Sequence, residues 1–527
     1  MAKILLTSVI QPFGKEYGDG RGTHFAGSWQ ILWAQGIYRP TATTTQWGID
    51  LIAENLESPT VTLHYPTMKA FIKEIKKGYD YIGIAFIMAT FHKTVAMVDA
   101  IRTYAPDSKI ILGGYGAALG KHLEPYADHV CREEGVAFMR KLLGEDTGRP
   151  IVQPNITGTS RLFSIPMRKQ GYVFIGLGCP NGCDFCVTSA FFNKRHVKLL
   201  PTGKAIYDAM VRLRRIHGED LTHFYFSDEE FLLSKKQVNE LHDCMQRSDL
   251  PPLCIQTYAS INALSRLPIE SLVEIGIDFI WIGYEGKHAG YPKQQGKPYA
   301  EIFAELKSYG ISILASMVIG FDYQTPEIIQ AEFEELIELE PTMCQFLILQ
   351  PAYGTPLFEK FRRQNRMNPT AVNNPLDFAR RADGFHLAFE HPHVEASEME
   401  SIQRELYKEE FARLGPGVFR MIADWLTGYR NLRGHTSERI RRKAAYLGES
   451  AHQALPLMDA SKMYLTERQR VELSQLQHEI EQETGKMTFK EKAFSKLAYP
   501  LVWWADKKMR YNIGQQPEFT RNEYRVR

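Results

Sequence analysis

An eight-residue loop constrains this chain more than any other stretch of it. The apolar run Tyr172-Val-Phe-Ile-Gly-Leu-Gly leads into Cys179-Pro-Asn-Gly-Cys183-Asp-Phe-Cys186, which places three of the seven cysteines at the spacing C-x3-C-x2-C. Gly178, Pro180 and Gly182 break any regular element there. The pattern therefore predicts a β-strand that runs into a loop pointing three thiols at one place. Soft thiolates select an iron-sulfur cluster or zinc. Structural zinc needs four ligands, usually as two Cys or His pairs, and no second C-x2-C or H-x3-H follows. Three is an odd number for a disulfide framework, and seven cysteines in 527 residues is the usage of a reduced cytosolic protein. What is left is a [4Fe-4S] cluster with three protein ligands and one open iron, able to take a substrate or cofactor.

Composition narrows the partners. With 44% hydrophobic and 24% charged residues the chain is globular, long enough for two or three domains. Lys plus Arg (63) nearly balances Asp plus Glu (61), so no basic field argues for nucleic acid. The start, MAKILLTSVIQPFG, has too short an apolar core and too early a Pro for a signal peptide. No run approaches the ~20 apolar residues of a membrane span. The expectation is a cytoplasmic protein, with a peripheral contact at the membrane as the most it could make.

Residues 1–150 alternate short apolar runs with amphipathic stretches, among them Tyr81-Ile-Gly-Ile-Ala-Phe and Lys109-Ile-Ile-Leu112, the latter ending at Gly113-Gly114. This predicts an α/β, doubly wound, Rossmann-like domain with a parallel sheet. Residues 151–170 hold Pro154, Gly158 and Pro166 with little periodicity and read as a connector. Over 171–360 the alternation resumes, with six strand candidates that end in polar residues: the cluster loop, Ser227-Asp228-Glu229, Tyr258, Tyr284-Glu285, Gly320 and Gln350. Six such repeats predict a partial (β/α)6 barrel whose site lies at the carboxyl ends of the strands. Residues 361–527 read as a helical C-terminal region, with Ser397 and Glu400 at capping-box spacing.

CPNGCDFC after a strand, with Phe185 before the third cysteine, resembles the cluster loop of the radical S-adenosylmethionine (SAM) superfamily. The resemblance implies that SAM chelates the open iron of the [4Fe-4S] cluster. It also implies that Asp228 and Glu229 approach the SAM amino group, that Glu285 lies near its ribose and methionine, and that Gly320 lies beside the adenine. Upstream, DYIGIAFIMATFHKTVAMVDAIR and KIILGGYGAALGKHLEPYADHVCREEGVAFMRKLLG resemble the cobalamin-binding domain that precedes the barrel in a large subfamily. There Gly113 and Gly114 would let backbone approach a corrinoid closely. No Asp-x-His-x-x-Gly is present, so no axial His is carried over; His24 and His92 read as surface or capping residues.

The resemblance therefore implies a cobalamin-dependent radical SAM C-methyltransferase that draws electrons from an external flavodoxin- or ferredoxin-like donor and acts on a small-molecule or lipid substrate. Its layout and aromatic tail are most similar to the lipid-directed, hopanoid methylase-like branch. No catalytic residue is assigned. Two rivals stand beside this reading: a radical SAM cyclase or oxidase acting on a tetrapyrrole or other substrate, and a non-catalytic corrinoid or iron-sulfur sensor. In the tail, Trp503 and Trp504 beside Lys507, Lys508 and Arg510 have the composition of an interfacial anchor or of a self-docking segment, and Pro500 is expected to interrupt the helix.

Overall fold

The computed structural model describes residues 1–11, 33–42, 46–163, 165–367, 374–379, 381–511, 513 and 517–524. His24 lies outside the described residues. The first strands are β1 (Ile4–Ser8), β2 (Thr41–Ala42), β3 (Thr60–His64), β4 (Tyr81–Ala85), β5 (Lys109–Gly113) and β6 (His129–Val130). Five of these form a parallel sheet in the order β3-β1-β4-β5-β6. All five residues of β1 are buried, as suits a central strand covered by helices on both faces. Because β3 and β4 flank β1 on opposite sides, strand order reverses there. Such a reversal leaves a crevice beyond the carboxyl ends of β1 and β4.

A second sheet follows, from β7 (Thr157–Leu162), β8 (Ile165–Phe174), β11 (His223–Ser227), β12 (Cys254–Ala259), β13 (Ile277–Gly283), β14 (Ser312–Ile319) and β15 (Met343–Ile348). The short pair β9 (Gly176–Leu177) and β10 (Val197–Lys198) stands apart. Strands β8 and β11 to β15 are six parallel neighbours in chain order. Alternation sorts their side chains. Val173, Phe224, Phe226, Ile255 and Ile280 pack beneath the crossover helices against Ile206, Met210 and Leu241. Tyr172, Tyr225, Tyr258 and Trp281 point to the other, concave side, where the Trp47 ring packs tilted against Tyr172 at 4.9 Å and Tyr225 at 5.2 Å.

The half-barrel stays open, and its two edges are covered differently. Beside β8 lies antiparallel β7, and β7 is flanked in turn by β2. The expected connector is thus mostly a hairpin: β8 starts at Ile165, ahead of the apolar run, because its first half pairs with β7 rather than with core. At the far edge Phe346 of β15 donates its N–H to the Tyr407 hydroxyl (3.0 Å), and its carbonyl accepts from Gln403 Nε2 (2.8 Å). Side chains of helix Ala396–Leu414 therefore satisfy groups that an edge strand would otherwise expose.

Long helices fill the C-terminal region, Gly417–Leu432, Glu438–Ser461, Glu467–Thr484 and Phe489–Arg510 among them. Three sequence expectations are corrected here. Ser397 lies inside its helix, whose N-cap is Glu395 without a side-chain hydrogen bond. Helix Phe489–Arg510 runs through Pro500, carried by the buried inner residues Ala498, Val502 and Ala505. And the region is not wholly helical: β16 (Thr520–Tyr524) pairs antiparallel with β3 on the N-terminal sheet. It is pinned there by Arg521, which donates to both oxygens of Glu74 (3.0 and 2.8 Å), and by the Tyr524 hydroxyl on Asp50 (3.0 Å). Among the described residues no helix is long and apolar enough to cross a membrane.

Candidate cluster and cofactor site

The cysteine loop is shaped by its glycines and by one serine. Gly178 has φ +82°, and a Cβ there would stand 2.4 Å from the Arg195 carbonyl, so the turn out of β9 admits only glycine. Ser189 Oγ donates to the Cys179 carbonyl (2.9 Å) and accepts from Gly182 N–H (3.1 Å), tying the first half of the loop to helix Val187–Phe191. Cys186 N–H donates to the Cys183 carbonyl at 3.1 Å. All three thiols are free, Cys183 buried and the other two half-buried. Burial pushes the Cys179 and Cys183 thiols up to about 12 each, so thiolates at these positions require a cation beside them. Among the described residues no three His, Cys, Asp or Glu groups converge on one metal ion. A cluster makes no such demand, since each thiolate meets its own iron.

Three later strand ends close on this loop. Tyr291, after β13, donates its hydroxyl to Asp184 Oδ1 (2.6 Å), and its ring meets Phe185 edge-on at 5.3 Å. Phe321, after β14, packs on Phe185 at 6.2 Å. Leu357 N–H, after β15, donates to the Asp184 carbonyl at 3.0 Å.

The acidic run after β11 divides its labour. Asp228 spends both oxygens within the chain, Oδ2 on His196 Nε2 (2.8 Å) and Oδ1 on Glu230 N–H (2.8 Å), and this holds the His196 pKa above its ordinary value. Glu229 accepts the Tyr115 hydroxyl at Oε1 (2.8 Å), while its buried Oε2 has no partner. Tyr115 follows Gly113-Gly114, so this bond joins the N-terminal sheet to the barrel. Glu230 bridges the loop and the next strand: Oε1 accepts from Asn181 (2.9 Å) and Oε2 from Ser260 (3.1 Å), and burial lifts its carboxyl to about 7. Glu285, at φ +57°, pairs through Oε1 with Lys293, and its buried Oε2 is likewise unpartnered. After β15, Gln350 Oε1 is a third acceptor left over at this end.

Gly320 has φ +99° and donates its N–H to Gln324 Oε1 (2.7 Å); a Cβ would meet nothing nearer than 3.6 Å, so backbone conformation rather than space calls for glycine. The glycines of the N-terminal sheet serve the chain itself. At Gly114, φ +82°, a Cβ would stand 2.6 Å from the Phe86 carbonyl, and at Gly113 one would stand 3.4 Å from the Cys131 Cβ. Gly114 is thus required by the close Phe86 turn, whereas at Gly113 the approach is an ordinary van der Waals contact. Glu134 caps helix Gly135–Leu143 through bonds to Val136 and Ala137 N–H (2.7 and 2.8 Å). His92 is the second residue of helix Phe91–Tyr104.

Sequence reasoning missed Glu230, His196, Tyr115 and Lys293, and saw Tyr291 only as one of several tyrosines near strand ends. Glu230 was within reach, as the third acid of one run; the others carry no local signal, because distant elements bring them in. A cavity of about 430 Å³ lined by Glu134, Arg140, Arg149 and Lys198 lies apart from the cysteines, and its arginines are committed to carbonyls of Asn55 and Arg149.

No protein-family profile matches the chain. In solved structures, the chain aligns over 86% of its length with the whole of TsrM from Kitasatospora setae, a radical S-adenosylmethionine methyltransferase with cobalamin and a [4Fe-4S] cluster bound, at a TM-score of 0.54 and 14% identity. The chain shares the fold of that protein. Two curated relatives are similar to part of the chain. An uncharacterized methyltransferase of Pyrococcus horikoshii is 27% identical over 195 residues, 36% of this chain and 41% of the relative. The hopanoid C-2 methylase of Rhodopseudomonas palustris is 24% identical over 350 residues, 61% and 62% of the two chains. This chain thus spans less than two thirds of either curated relative.

Proposed function

We propose that this chain is a cobalamin-dependent radical SAM enzyme that transfers a methyl group to a carbon of a hydrophobic substrate. One observation carries the reading. At a single end of the half-barrel a three-thiol loop meets two buried carboxylate oxygens, Glu229 Oε2 and Glu285 Oε2, that the chain leaves unpartnered. Most buried acceptors find a partner, so these two, on carboxylates at the same end as the thiols, await a ligand that brings donors, as the ammonium and hydroxyl groups of SAM would.

When bound, the cluster and SAM supply hydrogen-atom abstraction and cobalamin a transferable methyl group. Cys179, Cys183 and Cys186 hold the cluster as thiolates. Phe185, Tyr291 and Phe321 pack over the loop and keep water off it. Glu285, paired with Lys293, and Glu229 would accept from SAM, with Gly320 beside it; Asp228 acts one step back, orienting His196 and the Glu230 backbone. For the corrinoid the fit is one of topology. The order of the first sheet reverses at β1, and Tyr115, just after β5 of that sheet, bonds Glu229 of the barrel. A hydrophobic substrate is suggested by the likeness to the hopanoid C-2 methylase of Rhodopseudomonas palustris, and reduction calls for an external flavodoxin- or ferredoxin-like donor.

The test is anaerobic turnover with SAM labelled in its methyl group, using lipid and tetrapyrrole candidates. Label in the product supports methyl transfer. A changed but unlabelled product would make the cyclase or oxidase reading the right one. Iron loading with no SAM cleavage under a strong reductant would leave a sensor.

A further inference from the structure

Helix Phe489–Arg510 is apolar on two faces. Its inner face, Ala498, Val502 and Ala505, is buried against the helical region. Its outer face carries Phe494, Leu497, Leu501 and Trp504 at intervals of three and four residues, 43%, 66%, 43% and 45% exposed, and Trp503, 48% exposed, projects about a quarter-turn beyond Trp504. Phe489 before them and Tyr511 after them are exposed still further. An ordinary surface helix keeps one apolar stripe and turns charge to water. A contiguous second stripe of large side chains marks an interaction surface.

Charge identifies what covers it. The helix holds Lys490, Lys492, Lys496, Lys507, Lys508 and Arg510 against only Glu491 and Asp506, and both acids are engaged, Glu491 by Thr488 and Asp506 by Arg510. Lys507 lies over the Trp503 ring at 5.6 Å and Lys508 over Trp504 at 6.0 Å, so cation and indole share one side of the helix. We propose that this outer face docks on an anionic lipid surface, the rings entering the headgroup boundary and the lysines snorkelling to phosphates. The inference stands on the helix alone and does not depend on the radical chemistry.

The experiment is flotation of the full-length protein with vesicles of phosphatidylcholine and phosphatidylglycerol in equal parts, and with phosphatidylcholine alone, at low and high salt. Binding is expected to the anionic vesicles only, with salt releasing it and tryptophan emission shifting to the blue on contact. Each lysine near the surface contributes about fivefold, so Lys507→Glu with Lys508→Glu should weaken partition roughly 25-fold or more. Leu497→Ser with Trp503→Ser and Trp504→Ser should abolish it at unchanged circular dichroism. Equal flotation with neutral vesicles, no flotation, or indifference to the lysine reversals would overturn the proposal. So would light scattering that shows a dimer which the serine variant splits, since the face would then be covered by a second copy. Should the serine variant fail to fold, the lysine variant decides alone.

Discussion

The two ends of the half-barrel both bury charge, and they treat it in opposite ways. At the amino end Lys443 of helix Glu438–Ser461 is 3% exposed and spends its ammonium on the Leu253 carbonyl (2.6 Å), Asp278 Oδ2 (2.9 Å) and Cys254 Sγ (3.5 Å). At the carboxyl end Glu229 and Glu285 each use one oxygen on the chain and leave the other without a partner. The first arrangement is complete and serves packing; the second is complete only with something added. Glu229 and Glu285 are therefore set apart from Lys443 by the oxygens they leave over, not by their burial.

The largest effect that separates the ends is iron. Replacing Cys179, Cys183 and Cys186 together by Ala should abolish iron and sulfide incorporation and the broad absorbance near ~400 nm, while Cys254→Ala at the amino end should load iron as the parent does. Loss in the single Cys254 variant would break the comparison.

Next in size is Lys443→Met, which strands Asp278 and the Leu253 carbonyl. Removing one partner of a buried pair costs about 3–5 kcal/mol, read as a lower denaturation midpoint, with SAM binding by the refolded protein unchanged. Glu229→Gln should do the reverse. Burial holds the Glu229 pKa above its ordinary value, so a neutral isostere leaves apo stability level or slightly higher. SAM affinity, measured by calorimetry on reconstituted protein, should fall roughly tenfold or more with the loss of a charge-assisted hydrogen bond. A variant that lost stability and affinity in parallel would remove the distinction between the ends.

The smallest effect is a pH dependence at the amino end. His223, next to Tyr446 (3.3 Å), has its pKa lowered by burial to about 4. Between the ordinary value of 6.5 and 4 the unfolded chain carries the proton and the folded chain does not, so stability falls as pH falls through that window. Near pH 5.5 the loss is on the order of 1 kcal/mol. His223→Gln should flatten that slope without touching iron loading.

Much of this architecture is legible in local pattern. β1, β4 and β5 announce themselves as short apolar runs, and the barrel strands fall within two residues of their expected places except β8, whose polar first half is paired to a hairpin and so carries no core-facing signal. The cysteine loop was legible because ligand spacing is a property of a few consecutive residues. The division of labour among the acids was not. Asp228, Glu229 and Glu230 are equivalent in sequence, and only their neighbours, His196, Tyr115 and Asn181, decide which oxygens remain over.

By itself, then, the sequence determined what depends on chain-local chemistry: alternation of strand and helix, a glycine-shaped turn at Gly178, and three thiols within eight residues. Tertiary structure decided what depends on contacts between distant segments. It brought Tyr115 onto Glu229 across 114 residues and Tyr291 onto Asp184 across 107. It also returned β16 from the end of the chain to the edge of the first sheet. The physical reason is that a hydrogen bond between remote residues leaves no periodicity in the chain: it exists only where folding brings donor and acceptor together, and burial then decides whether leaving one unmet is costly.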